Sequence, residues 1–453
     1  ARSTQSGGCV GIAAVGRLRS SRSPPGAAAL VQARQAHMAR SRGASFAWLL
    51  RLFLAGAAVA TLGLLYTTHA QHAVNDAPLA AEPPKPKAPL KKPDAASGCP
   101  AQGCPPRFWA PVSIAGVEHG DPRVSLCKLA FDTYWRDPSK TPMFRDLASA
   151  SRCGRGRAGT LNTLYEDMRK KNIKPVKPSG FVFHESRVGS TLVANMLAAV
   201  PTNIVYSESA PPPAVLNHCR SCSKQRKTDI LQKLIALMGA SPTNYHTHLF
   251  FKFQSATVPN IRSLLDAFPE TPWLFVYRDP VQTMMSHFKN GVGNGPCLRQ
   301  RRSPPPATIK ILKAESAAKA SRTSPENYCA AHLAMLTSSA LDADGSSDRG
   351  LLVDYASMPG ALEAYVFPKH FGLSLAPEDA LRTHAASSVY SKARGGRKAG
   401  AWESDNEKKE RAATPAIKSA AATYLQPTFE RARQATLSRT GGDDLVHFRD
   451  FAP

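Results

Sequence analysis

Acidic residues are scarce in this chain. Its 453 residues hold 33 Asp and Glu against 58 Lys and Arg, a formal net charge of +25. Such an excess points to an anionic partner: a nucleotide, an acidic polymer or a membrane surface. The abundance of Ala, Arg and Pro is equally what a biased coding sequence produces. No internal repeat and no collagen-like or solenoid period is present, which excludes fibrous and solenoid architectures. Only one long apolar run occurs, which excludes a polytopic membrane protein. Apolar residues are not scarce, at 43%, so wholesale disorder is excluded too. The length allows one large domain or two ordinary ones.

Residues 1–45 contain seven Arg and neither Asp nor Glu, among many Ser, Ala and Gly. That composition suits a targeting segment or an untranslated leader read as protein. The run Phe46–Tyr66 (FAWLLRLFLAGAAVATLGLLY) is broken only by Arg51. A bilayer-spanning helix needs about 20 apolar residues, so 46–66 is just long enough. Arg40, Arg42 and Arg51 mark its N-terminal side, which should stay in the cytoplasm. The expectation is a signal anchor starting near Met38, with the rest of the chain luminal. A cleaved signal or a plastid transit sequence is the competing reading, giving a secreted or plastid-targeted protein. Residues 67–106, dominated from Asn75 by Pro, Ala and Lys, cannot bury a core and read as an extended stem. The body, 107–453, is itself basic, with 46 Lys and Arg against 30 Asp and Glu.

Within the body, short apolar runs alternate with helical patterns. Strands are expected over Phe181–His184, Asn203–Tyr206, Thr247–Phe253, Trp273–Tyr277 and Leu351–Asp354. Helices are expected over Ser190–Val200, Thr228–Met238 and Pro259–Phe268. This alternation predicts an α/β fold: a P-loop-like, mainly parallel sheet flanked by helices. Gly291–Pro325 and Ala393–Arg411 read as flexible insertions, the second able to close over a ligand. Eight cysteines follow the apolar run, and an even number in a luminal body fits disulfides. Cys219 and Cys222, a CxxC beside His218, would suit zinc only with a second ligand pair at suitable spacing, and none is evident.

The sharpest local signal is FVFHESRVGSTLVANML, 181–197. A buried strand ends, a short turn carries Arg187 and Gly189, and Ser190-Thr191 open a helix. Such a turn aims backbone N–H groups and the positive helix end at one point, where a phosphate fits. The Walker pattern is absent, so a standard ATPase or GTPase loop is not supported. A second signal is WLFVYRDPVQTMMSHF, 273–288. Arg278 at a strand end and Ser286 in the following helix could hold a second phosphate.

Together these segments resemble the sulfotransferases that use 3′-phosphoadenosine 5′-phosphosulfate (PAPS). SRVGSTL stands where that family has its 5′-phosphosulfate loop, P-[KR]-S-G-T-T, with Ser186 in place of the Pro and Val188 in place of the Ser. RDPVQTMMS stands where the family has its 3′-phosphate motif, an Arg and a Ser eight residues later. The resemblance covers roughly 178–290, and a luminal domain behind an anchor and stem is similar to the Golgi branch of the family. It implies a single-pass type II Golgi membrane protein. It further implies that Arg187, Gly189, Ser190 and Thr191 hold the 5′-phosphosulfate, and that Arg278 and Ser286 hold the 3′-phosphate. NIVYSESAPPPAVL is similar to the stretch after the loop helix in tyrosylprotein sulfotransferases, which makes Glu208 the base. Lys252 in THLFFKFQS matches a strand Lys that stabilises the transferring sulfate. SSVYSKARGGRKAGAW, 387–402, resembles a late loop over the nucleotide, making Lys392 and Arg397 further contacts.

Local rivals stand beside these assignments. Glu208 reads equally as a solvated loop carboxylate, and Lys252 as a strand-end residue facing solvent. His184 and His287 flank the two motifs and are alternative bases, since histidine accepts protons near neutral pH. The expected reaction moves a sulfuryl group to a glycan or protein hydroxyl, with no metal and no nucleic acid involved. A P-loop-like phosphotransferase and a non-catalytic, membrane-anchored polyanion binder are the alternative functions.

Overall fold

A computed structural model describes residues 105–153, 156–392 and 405–448. The basic tail, the expected anchor over 46–66, nearly all of the stem and Arg397 lie outside the described residues. Among the described residues, no helix is long and apolar enough to cross a membrane.

Two sheets are present among the described residues. Strands β1 (Phe108–Ala115), β2 (Arg123–Leu129) and β3 (Arg157–Thr160) form an antiparallel sheet in the order β1-β2-β3. Strands β4 (Pro178–His184), β5 (Asn203–Ser207), β6 (His248–Lys252), β7 (Trp273–Tyr277) and β8 (Gly350–Asp354) form a parallel sheet. Its order is β5-β6-β4-β7-β8. Every residue of β5 and β7 is buried, and so are five of the seven in β4. A parallel sheet covered on both faces asks for such unbroken apolar runs. The expected mixed α/β architecture, a parallel sheet flanked by helices, is therefore present, and all five expected strands belong to it. The expected third helix divides at Pro259, inside a 3-10 turn over Ser255–Asn260, before helix Ile261–Ala267.

The connection leaving β4 runs toward the β5 side of the sheet, and the one leaving β7 leads to β8 on the other side. Between β4 and β7 the winding therefore reverses, and that crevice at the carboxyl ends is where open α/β sheets bind ligands. The small sheet and the helix Phe131–Arg136, which leaves β2, seat β5. Phe131 stacks on Phe108 at 5.3 Å and meets Tyr206 edge-on at 5.7 Å, while the Tyr206 hydroxyl donates to the Met238 carbonyl at 2.7 Å. These contacts fix the strand whose next residue is Glu208.

Three disulfides join Cys127 to Cys153, Cys219 to Cys222 and Cys297 to Cys329 among the described residues. The expected flexible insertion over Gly291–Pro325 is instead folded into short helices. Its order comes from burial of Cys297, Thr308 and Ala320, from the Cys297–Cys329 bridge into helix Pro325–Asp344, and from Arg301, which donates to the Thr323 carbonyl at 2.6 Å. Of the second insertion, Asn406–Ala412 is a helix and 393–404 lies outside the described residues.

Candidate active site

The site lies along the carboxyl edge of the parallel sheet. After β4 the chain turns through Ser186 (φ 93°), Arg187 (φ 61°) and Gly189 (φ 80°) before helix Ser190–Ala198 begins. Left-handed conformations at two non-glycine residues are uncommon and must be held by their surroundings. Gly189 is required twice over. Its φ is left-handed, and a Cβ there would sit 2.6 Å from the Tyr355 ring. The first amides of a helix have no intrahelical acceptor, so Ser190 and Thr191 open a helix end suited to an anion. Arg187 is exposed at the rim, whereas Ser190 and Thr191 are buried.

Beside this turn, β5 and β6 end together, with Ser207 in register with Lys252. One residue further, Glu208 (φ 60°) continues the ladder by donating its amide to the Lys252 carbonyl at 2.6 Å. The prolines of Pro211–Pro213 then start helix Pro211–His218, where a missing N–H does no harm. The Lys252 ammonium, whose side chain is 2% exposed, donates to Glu208 Oε1. The solvent-facing alternative for Lys252 is thereby overturned: its strand is central, and the ammonium is buried against a carboxylate. The solvated-loop alternative for Glu208 fails for the same reason. Burial pushes the Glu208 carboxyl up, but the Lys252 ammonium, through its charge and its hydrogen bond and with the charge of Lys392 beside it, outweighs burial and holds the group at about 2.

His184 lies beneath this pair. Its Nε2 is 3.0 Å from the Phe253 carbonyl, to which it donates, and 4.0 Å from Glu208 Oε1. Burial first, and then the charge of Lys252, keep the imidazole well below its usual range. Lys392 belongs to the same neighbourhood, since its charge acts on both Glu208 and His184. Its neighbour Ser391 accepts from Asn195 of the loop helix at 2.9 Å.

On the other side of β4, Arg278 leaves β7 and is buried at 5% exposure. Its guanidinium lies 4.3 Å from the centre of the Tyr355 ring and donates to Gln282, Asp405 and Asn406. Asp279 caps helix Pro280–His287, accepting from the Gln282 amide at 2.9 Å. Ser286 is half-buried one turn beyond Gln282 on the same helix face. A cleft of about 330 Å³ lined by Gln282, Asn406, Glu407, Glu410 and Arg411 adjoins these residues. His287 is buried rather than surface-facing, and its Nδ1 accepts the Cys297 amide at 3.2 Å. Burial and the charge of Arg187 lower it to about 3. His287, Cys297 and Cys329 bring potential ligand atoms within 4.8 Å of one another. The two sulfurs are joined as a disulfide, however, and lack the thiolate charge that a metal needs.

Four residues of this edge escaped the sequence reading. Asp354 ends β8 and Tyr355 directly follows it, and Asp405 pairs with Arg278 across a separation of 127 residues. Glu185, next to the turn, is 2% exposed. Burial raises its carboxyl to about 8, and burial likewise raises Asp354 to about 6. Position at the carboxyl end of a parallel strand was the signal that could have singled out Glu185 and Tyr355.

No known family profile and no curated protein matches the chain. Among solved structures it is similar to the sulfotransferase domain from the Synechococcus PCC 7002 olefin synthase. The identity is 15% and the TM-score 0.30, over 55% of this chain and 95% of that one. Likeness at that level carries no chemistry across, so the chemistry must come from the residues themselves.

Proposed function

We propose that the body is a PAPS-dependent sulfotransferase acting on a hydroxyl of a glycan or protein. The observation that carries this reading is the Lys252–Glu208 pair, set at the ends of adjacent strands beside an anion-suited turn. Sulfuryl transfer needs a cation for charge growing on the leaving bridging oxygen and a base for the acceptor proton. The pair offers both. Arg187, Gly189, Ser190 and Thr191 would hold the 5′-phosphosulfate, and Arg278 and Ser286 the 3′-phosphate. The acceptor oxygen attacks sulfur, the bond from sulfur to the bridging oxygen breaks, and Glu208 takes the hydroxyl proton. Lys252, Arg187 and the helix end meet the charge left on 3′-phosphoadenosine 5′-phosphate (PAP). As Lys252 turns toward the sulfate, the force depressing the Glu208 carboxyl weakens, which makes it a better base at that moment. The 3′-phosphate would displace Asp405 from Arg278.

The remaining expectations join this proposal: a type II anchor over 46–66 and a Golgi-luminal body, which the three disulfides suit. The deciding experiment offers labelled PAPS to the purified body with panels of glycan and protein acceptors. Label on an acceptor is the expected result. Absence of both transfer and PAP binding would overturn the reading in favour of a phosphotransferase or a non-catalytic polyanion binder.

A further inference from the structure

We propose that the folded insertion Gly291–Pro325 is a docking surface for a polyanionic glycan, a sugar chain bearing carboxylate or sulfate groups along its length. The inference is independent of the sulfotransferase reading and adds to it that such a chain is held beside the site. The segment contains seven Lys and Arg against a single acid, Glu315. That excess of six is more than a third of the excess of sixteen in the whole body, within 35 of its 347 residues. A biased coding sequence gives no reason for such a concentration.

Six of the seven cations are exposed and come in pairs three residues apart: Arg299 and Arg302, Lys310 and Lys313, Lys319 and Arg322. Lys319 and Arg322 share one face of helix Ala317–Arg322. Lys319 is paired with Glu315, and the other five have no ion pair among the described residues. The seventh, Arg301, is half-buried and donates to the Thr323 carbonyl at 2.6 Å. With the burial of Thr308 and Ala320 and the Cys297–Cys329 bridge, it orders the inner side of the segment. The exposed cations are therefore carried on a folded support, and binding costs little further ordering. The support is rooted at the candidate site. His287, which ends the helix following Arg278, accepts the Cys297 amide at 3.2 Å.

The composition of the segment favours a glycan among polyanions. It has no Phe, Tyr or Trp on which the bases of a single strand would stack. Disulfides such as its own are rare in the cytosol and nucleus, where duplex nucleic acids are held. Leu381 and Tyr390, exposed large apolar residues of the described chain, lie elsewhere, so nothing here would anchor a peptide in an apolar interface core. What the segment offers is spaced positive charge, which a chain of repeating acid groups matches.

The test measures heparin binding by the full chain in detergent, at about 0.15 M salt. One variant combines Arg302→Gln, Lys310→Gln, Lys313→Gln and Arg322→Gln. A control removes the same charge from a second exposed lysine cluster, through Lys170→Gln, Lys171→Gln, Lys174→Gln and Lys177→Gln. The first variant should bind heparin about tenfold or more weakly and the control within about twofold of wild type. Equal losses, or a loss confined to the control, overturn the assignment. Polyglutamate and DNA, single-stranded or duplex, should compete with heparin only at far higher charge concentration; equal competition by either overturns the choice of a glycan. A lysine-acetylation footprint of the wild type decides without any variant. Heparin should protect Lys310 and Lys313 and leave Lys170 and Lys171 reactive, and the reverse pattern, or no protection of the insertion, overturns the docking surface. Neither result bears on PAP binding, so the sulfotransferase reading stands or falls separately.

Discussion

Replacing Glu208 by Gln tests the central pair without knowledge of the acceptor. In the folded protein the carboxyl titrates at about 2 instead of its ordinary 4.5. At about 1.4 kcal/mol for each tenfold change in proton affinity, ionised Glu208 contributes about 3 kcal/mol at neutral pH. The sign follows from a depressed folded value. The contribution is complete above 4.5 and disappears as pH falls through about 2. Gln keeps the shape but cannot ionise, so it leaves the buried Lys252 ammonium facing a neutral amide. Denaturant unfolding of both proteins from pH 7 to pH 2 should show the variant about 3 kcal/mol weaker at neutral pH. The two stability curves should then converge as the wild type is protonated. All other carboxylates are common to both proteins and cancel. The same substitution should lower sulfuryl transfer by roughly 10²–10⁴-fold, the usual loss on removing a positioned base, with PAP affinity retained. A stability gap that stays constant down to pH 3 would refute the ion pair. Near-normal turnover would refute the base, and loss on His184→Ala instead would move that role two strands over, to the end of β4.

Other expectations follow from the phosphate sites and the chain's ends. Arg187→Ala and Arg278→Ala should each weaken PAP binding by about tenfold or more in calorimetry, since a charge-assisted contact contributes about 1.5–3 kcal/mol. Unchanged affinity in both folded variants would defeat the two-phosphate assignment. Asp405→Asn should strengthen PAP binding by about two- to fivefold, a modest gain because Asp405 is 55% exposed; weaker binding would show that Asp405 supports Arg278 rather than competing for it. Gly189→Ala forces a Cβ to 2.6 Å from the Tyr355 ring at φ 80°, and should lower stability by about 1–3 kcal/mol in thermal melts. An unaltered melt would mean the turn is looser than described. Protease added to intact microsomes should spare the body if 46–66 anchors it with the body in the lumen, and digestion without detergent would overturn that topology.

What the sequence determined by itself is local. Runs such as WLFVY and FVFH are too apolar and too short for anything but buried strands, and alternation with helices then made the sheet parallel. The turn of S-R-V-G-S-T could be read as an anion site because glycine, a helix start and a strand end are adjacent along the chain. Tertiary structure decided what depends on partners distant in sequence. Glu208 and Lys252 are 44 residues apart, and only the pairing of β5 with β6 turns a loop carboxylate and a strand lysine into one buried pair. Arg278 was legible as a strand-end cation, but Tyr355 and Asp405 reach it through the packing of β8 and of helix Asn406–Ala412. The insertion over 291–325 carries Pro, Arg and Ser that read as loop, yet a disulfide and the long helix beyond it supply the order. His287 looked like a proton acceptor for want of any sign of its burial. A side chain's protonation is set by the charges and dielectric around it, and those belong to the fold rather than to the neighbouring letters.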